Sequence, residues 1–153
     1  MPAGLDSGLD RVTLRAMTSV KGSCLCGGIQ FEMTGTPSGV THCHCSRCRK
    51  VRGSANATNL FLPLDGLSYL RGEELLVKYR LPEAKYFAHW FCRVCGSSMP
   101  RFDEGRGIAI IPMGAFDDDP SARPNRHIHV GSKAPWDIIT DDLPQFEGAP
   151  PAL

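Results

Sequence analysis

Seven cysteines in three short-spaced groups constrain this chain more than any other feature of its sequence. They stand as C-x-C-G-G at Cys24 and Cys26, C-x-C-x-x-C at Cys43, Cys45 and Cys48, and C-x-x-C-G at Cys92 and Cys95. An odd count strands one thiol in any fully paired disulfide scheme, and such clustering points to metal ligation. Zinc with bonds of about 2.3 Å to sulfur sets its tetrahedral ligands roughly 3.8 Å apart, whereas positions i and i+2 of an extended strand lie about 6.6 Å apart. Cys24 and Cys26 therefore share a metal only on a bent backbone. Gly27 and Gly28 permit that bend, as Gly96 does after Cys95. The two outer pairs are expected to form one four-cysteine zinc site that clips the N-terminal strands to a central hairpin.

The middle group has no fourth cysteine. Three thiolates with one open position are the ligand pattern of a catalytic zinc, so Cys43, Cys45 and Cys48 are expected to hold a second zinc, giving two per chain. His42 or His44 closing that coordination is the structural alternative, and iron–sulfur ligation is an alternative for all these thiolates. Arg47, Arg49, Lys50 and Arg52 crowd the middle group, where cations offset the net negative charge of a zinc carrying three thiolates. His127 and His129, at i and i+2 of an expected strand, are read as sharing a face and as surface or core residues, not ligands.

The rest of the chain reads as mainly β. Ile29, Phe31 and Met33 alternate with Gln30, Glu32 and Thr34, and the same period of two runs through 75–80 and 86–91. Further strands are expected at 57–62, 107–111 and 125–130, with short helical turns at 46–51 and 135–139. Sixteen glycines and twelve prolines leave little room for long helices. Residues 1–16 lack either period and are expected to be a flexible extension before a single domain over 17–148, with 149–153 a tail.

Seventeen basic residues against sixteen acidic ones leave a net charge of +1, which supplies no long-range field for nucleic acid. No run approaches the roughly 18 apolar residues of a membrane span, and the first residues do not form a signal-peptide core. A cytoplasmic protein with small partners is the expectation.

The stretches GSCLCGGIQFEMTG, HCHCSRCRK, FCRVCGSSMPRF and RPNRHIHVGSKAPWDIITDDLPQFEG resemble the glutathione-dependent formaldehyde-activating enzyme family, whose domain is shared with centromere protein V. The resemblance runs over about residues 20 to 148. It implies a β-tent of several small antiparallel sheets, a structural zinc on Cys24, Cys26, Cys92 and Cys95, and a catalytic-type zinc on Cys43, Cys45 and Cys48. It also implies carbon–sulfur lyase chemistry of the S-(hydroxymethyl)glutathione synthase type, with a small thiol such as glutathione and a small aldehyde such as formaldehyde as partners. Within that chemistry His44 is the expected acid for the developing alkoxide, and Arg47, Arg49 or Lys50 the expected anchor of a glutathione carboxylate. A non-enzymatic, zinc-stabilised interaction module is the rival reading.

Overall fold

The computed structural model describes residues 19–150. The expected extension at 1–16 and the last three residues of the expected tail lie outside them. Eleven short strands follow in order: β1 (Val20–Ser23), β2 (Gln30–Met33), β3 (Gly39–Cys43), β4 (Ala57–Pro63), β5 (Leu67–Arg71), β6 (Leu76–Arg80), β7 (Ala88–Cys92), β8 (Ser98–Met99), β9 (Arg101–Asp103), β10 (Ile108–Pro112) and β11 (Arg126–Ile128). One α-helix among the described residues, α1 (Ser46–Arg52), stands between β3 and β4.

The strands make three small sheets, in the orders β1-β2-β5, β11-β3-β4-β10-β9 and β6-β7-β8. Every pairing is antiparallel except β11 on β3, which is parallel. The fold is mainly β and built of several small sheets, as the sequence leads one to expect. Inward positions recur every second residue on β2, where Phe31 and Met33 continue the buried face begun by Ile29. They meet Val40, Leu60 and Leu62 from the central sheet and Met99 from the third, so one core joins all three sheets. Cys24 and Cys92 belong to that core, which ties the metal-ligand turns to its packing.

Several elements differ from expectation. The third sheet's β6 alternates in sequence yet has no buried face, because its strand covers β7 at an edge open to solvent. The 86–91 strand begins at Ala88, with Tyr86 exposed before it. The 125–130 strand stops at Ile128, because His129 takes a left-handed backbone (φ 56°) that leaves the ladder, so His127 and His129 do not share a face. No helix forms at 135–139; a single turn closed by Asp137 N–H to Ala134 C=O stands there, with Pro135 inside it.

Candidate metal centre and active site

Two hairpin-like turns bring the outer cysteines together. After β1, Gly27 donates its N–H to Cys24 C=O, and after β7, Gly96 donates to Cys92 C=O. Gly27 (φ 72°) and Gly96 (φ 74°) both sit in the left-handed region, where a side chain would be strained. Cys24 and Cys26 sulfurs are then 3.5 Å apart and Cys26 and Cys92 sulfurs 3.9 Å apart. All four lie within 4.8 Å of one another, a spacing that fits one tetrahedrally bound ion. The Ser97 hydroxyl beside Cys95 holds that thiol down to about 5, whereas on Cys26 the Gly28 backbone contact is the largest single influence and lowers it, but the Cys24 thiol, burial and the Cys95 and Cys92 thiols together raise it to about 11. Such unequal thiols in one nest are the response of groups too close to ionise independently.

The second group forms where β3 runs into α1. Cys45 is the N-cap residue, its sulfur accepting the Cys48 N–H at 3.3 Å, so the start of the helix itself sets Cys45 against Cys48. Cys43, at the end of β3, completes a cluster whose sulfurs again lie within 4.8 Å. Hydrogen bonds from Cys43 and Cys48 pull the Cys45 thiol down to about 2, the bond to Cys45 pushes Cys43 up to about 11 against a lowering one from Cys48, and bonds to Cys43 and then Cys45 push Cys48 up. One negative charge is easily held here and further ones repel, a deficit that a divalent cation removes. Both clusters thus fit a metal, and no other group of metal-ligating side chains this tight occurs among the described residues.

The two clusters differ in surroundings. Cys43, Cys45 and Cys48 border a cleft of about 570 Å³, also lined by Arg47, Lys85, Tyr86, Arg101, Arg106 and His129. That volume lies within the usual range for small-molecule sites. Of the three cations expected to bind substrate, Arg47 borders the cleft, while Arg49 and Lys50 do not; Arg49 Nη2 donates instead to Ser132 C=O at 3.4 Å. Lys85 and Arg106 stack against the Tyr86 ring at 5.0 and 4.9 Å. No local motif announces these additional cations and Tyr86, since the fold gathers them from separate loops.

The structure does not bring His44 to the cleft. Neighbours on an extended chain face opposite ways, so Cys43 turns to the cleft while His42 and His44 turn to the other side, where both rings lie against His127. His44 is 1% exposed; its Nε2 is 2.8 Å from His127 Nδ1, and His127 Nε2 donates to Asp141 at 3.0 Å. His44 Nδ1 lies 3.2 Å from the Asp137 carboxylate, off the line of a hydrogen bond. Burial, with the neighbouring His127 second, lowers the His44 pKa and keeps the ring neutral. The ladder is a brace beneath the cysteine segment, joining β3 to β11 and to the chain at Asp137 and Asp141.

Comparisons with known proteins agree with this architecture. No curated protein matches the chain. The crystal structure of a Rhodobacter sphaeroides protein superimposes with a TM-score of 0.52 at 26% identity, covering 65% of this chain and 91% of the other. The family profile described as glutathione-dependent formaldehyde-activating enzyme matches residues 19–132, a span that holds all seven cysteines of both clusters. With three small β-sheets, two cysteine nests and that match over most of its length, the chain belongs to the glutathione-dependent formaldehyde-activating enzyme family.

Proposed function

We propose that this protein is a zinc-dependent carbon–sulfur lyase-type enzyme that adds a small thiol, glutathione or a close analogue, to a small aldehyde such as formaldehyde, and catalyses the reverse. The observation that carries the proposal is the contrast between the clusters: four cysteines close one nest, whereas three open onto a cation-lined cleft. Zinc on Cys43, Cys45 and Cys48 would supply a fourth position for a substrate thiol and lower its pKa, while zinc on Cys24, Cys26, Cys92 and Cys95 would be structural. All seven cysteines are unpaired, which fits a reducing compartment, and the cytoplasm is the compartment we infer.

The chain's own groups divide the remaining work. Arg47, Lys85, Arg101 and Arg106 give the cleft its positive lining, and glutathione brings two carboxylates for them to bind. Arg49 and Lys50 act only through the general field of α1. His129 is our candidate for the group that returns a proton to the new hydroxyl: it borders the cleft and is held in a conformation uncommon for a residue with a side chain. His44 serves as a positioning residue through His127. Adding glutathione and formaldehyde to the zinc-loaded protein and following adduct exchange by NMR tests the proposal. Exchange faster than the uncatalysed rate is expected, with loss in Cys48→Ser; an uncatalysed rate for every thiol and aldehyde pair would leave the interaction-module reading.

A further inference from the structure

Two spaces meet at Cys48. One is the cleft; the other is an adjoining cavity of about 70 Å³, and Asn59, Phe87, Arg101 and Ile110 border both as well. A water needs about 10–15 Å³, so the smaller space takes a molecule of about five to seven heavy atoms. Cys48 and Arg52 stand one turn apart on α1, at i and i+4, and so both face it.

Its chemistry is unusual for so small a space. Trp90, Met99 and Phe87 make part of the wall apolar, while Arg52, Arg101 and His89 bring polar groups into it. Arg52 Nη2 donates to Asn59 Oδ1 at 3.1 Å, but Arg52 Nη1 is buried with no hydrogen-bond partner among the described residues. Burial opposes the Arg52 charge and the neighbouring Cys48 favours it. Buried donors left unsatisfied are costly, and both N–H groups of Nη1 lack an acceptor that an oxygen entering the cavity could supply.

This argument rests on the thiol and aldehyde reading of the three-cysteine cleft. We propose that the cavity beside Cys48 is the pocket for the carbonyl substrate, that it limits that substrate to small aldehydes and excludes aromatic ones, and that Arg52 Nη1 donates to the carbonyl oxygen. The thiol lies in the cleft and the aldehyde in the adjoining cavity, its carbonyl carbon at the border the two spaces share. The thiol's sulfur pair forms the carbon–sulfur bond, the π pair of the carbonyl moves onto oxygen, and oxygen takes up the proton that the thiol released. RSH and R′CHO give RS–CH(OH)–R′ with nothing else consumed. Arg52, always protonated, holds the developing oxyanion without transferring a proton.

Two variants and one binding measurement test this on the zinc-loaded full chain. Ala57 shares a face of β4 with Asn59 and borders the cavity, so Ala57→Val adds methyl groups to it. It should raise KM for formaldehyde about tenfold, as pocket fit at this scale does, and leave KM for the thiol unchanged. Arg52→Lys should lower kcat about a hundredfold, the usual loss for an oxyanion donor, again without moving thiol KM. Wild type should use formaldehyde and acetaldehyde and reject benzaldehyde. Independently of turnover, titration with formamide, an unreactive carbonyl of similar size, should shift the Trp90 indole N–H resonance in wild type and not in Ala57→Val, while benzamide shifts it in neither; thermal melts confirm that both variants fold. Benzaldehyde used as fast as formaldehyde, unaltered aldehyde kinetics in both variants, or an unmoved Trp90 signal overturns the pocket while leaving the thiol chemistry standing. A wild type inert toward every pair overturns the parent reading and this assignment with it.

Discussion

Single residues in this protein carry unequal weight, and the cysteines show it best. Cys92 is fully buried and sits in the common core, so its loss removes a ligand and packing at once. Structural zinc supplies on the order of 10 kcal/mol of folding free energy in small domains, as much as the whole stability of many proteins this size. Cys92→Ser is expected to be insoluble or unfolded. Cys48→Ser, from a cluster spanning six positions, should fold with about one zinc and lose adduct chemistry, because closing so short a loop releases little chain entropy. Circular dichroism, melting and metal analysis compare the two, and equal collapse would make the three-cysteine site structural. His89 gives a second test. Burial, with Arg52 next, lowers its pKa from 6.5 to about 4. Above pH 6.5 both folded and unfolded forms are neutral; below it the unfolded chain takes up the proton and the folded one does not, so stability falls between about 6.5 and 4. The ring is only half-buried, which discounts the full linkage to about 1–2 kcal/mol. Denaturant melts of His89→Gln should lose less stability than wild type over that window; parallel curves would show an unperturbed His89.

Elements carry the ligands by local rules, and those rules are where the sequence is most readable. The glycines after Cys26 and Cys95 announce tight turns, and Gly27 and Gly96 adopt them. The alternation at Ile29, Phe31 and Met33 reads correctly because one face of β2 is buried, whereas the same alternation in β6 misleads because neither face is. Nearness in sequence to Cys43 suggests His44 for the cleft, although the parity of an extended chain turns the two apart. Lys85, Arg101, Arg106 and His129 were invisible as a set, since only pairing among distant strands brings them together. Gly72 is an element-scale hinge of this kind: it ends β5 with φ 74°, and an added Cβ would lie 2.2 Å from Gly28 C=O in the cysteine turn. Gly72→Ala should cost about 3 kcal/mol, summing left-handed strain and overpacking, and should loosen zinc in the four-cysteine site first. Differential scanning calorimetry with chelator titration reads both; a wild-type melt would show that the turn yields freely.

At the scale of the whole molecule, the four-cysteine nest is built into the core and the three-cysteine nest is not, so loss of metal from the two should have different consequences. Metal analysis after chelator-free purification should give two zinc ions per chain, as four plus three thiolates require. Graded chelation should strip the cleft-side ion first, with the fold intact, and the four-cysteine ion only with cooperative unfolding. Loss of both in one step would place the two sites in a single structural unit.

The separation of Cys26 from Cys92 along the chain has a consequence for how the protein is made. A ribosome delivers Cys43, Cys45 and Cys48 together, so that nest can capture zinc while the later strands are still inside the tunnel or not yet made. The four-cysteine nest must wait until Cys95 emerges, 47 residues after Cys48. Until then the first sheet's buried face has no partner strands from β7 and β8, and a nascent chain stalled in this interval holds its reactive centre before it holds its fold.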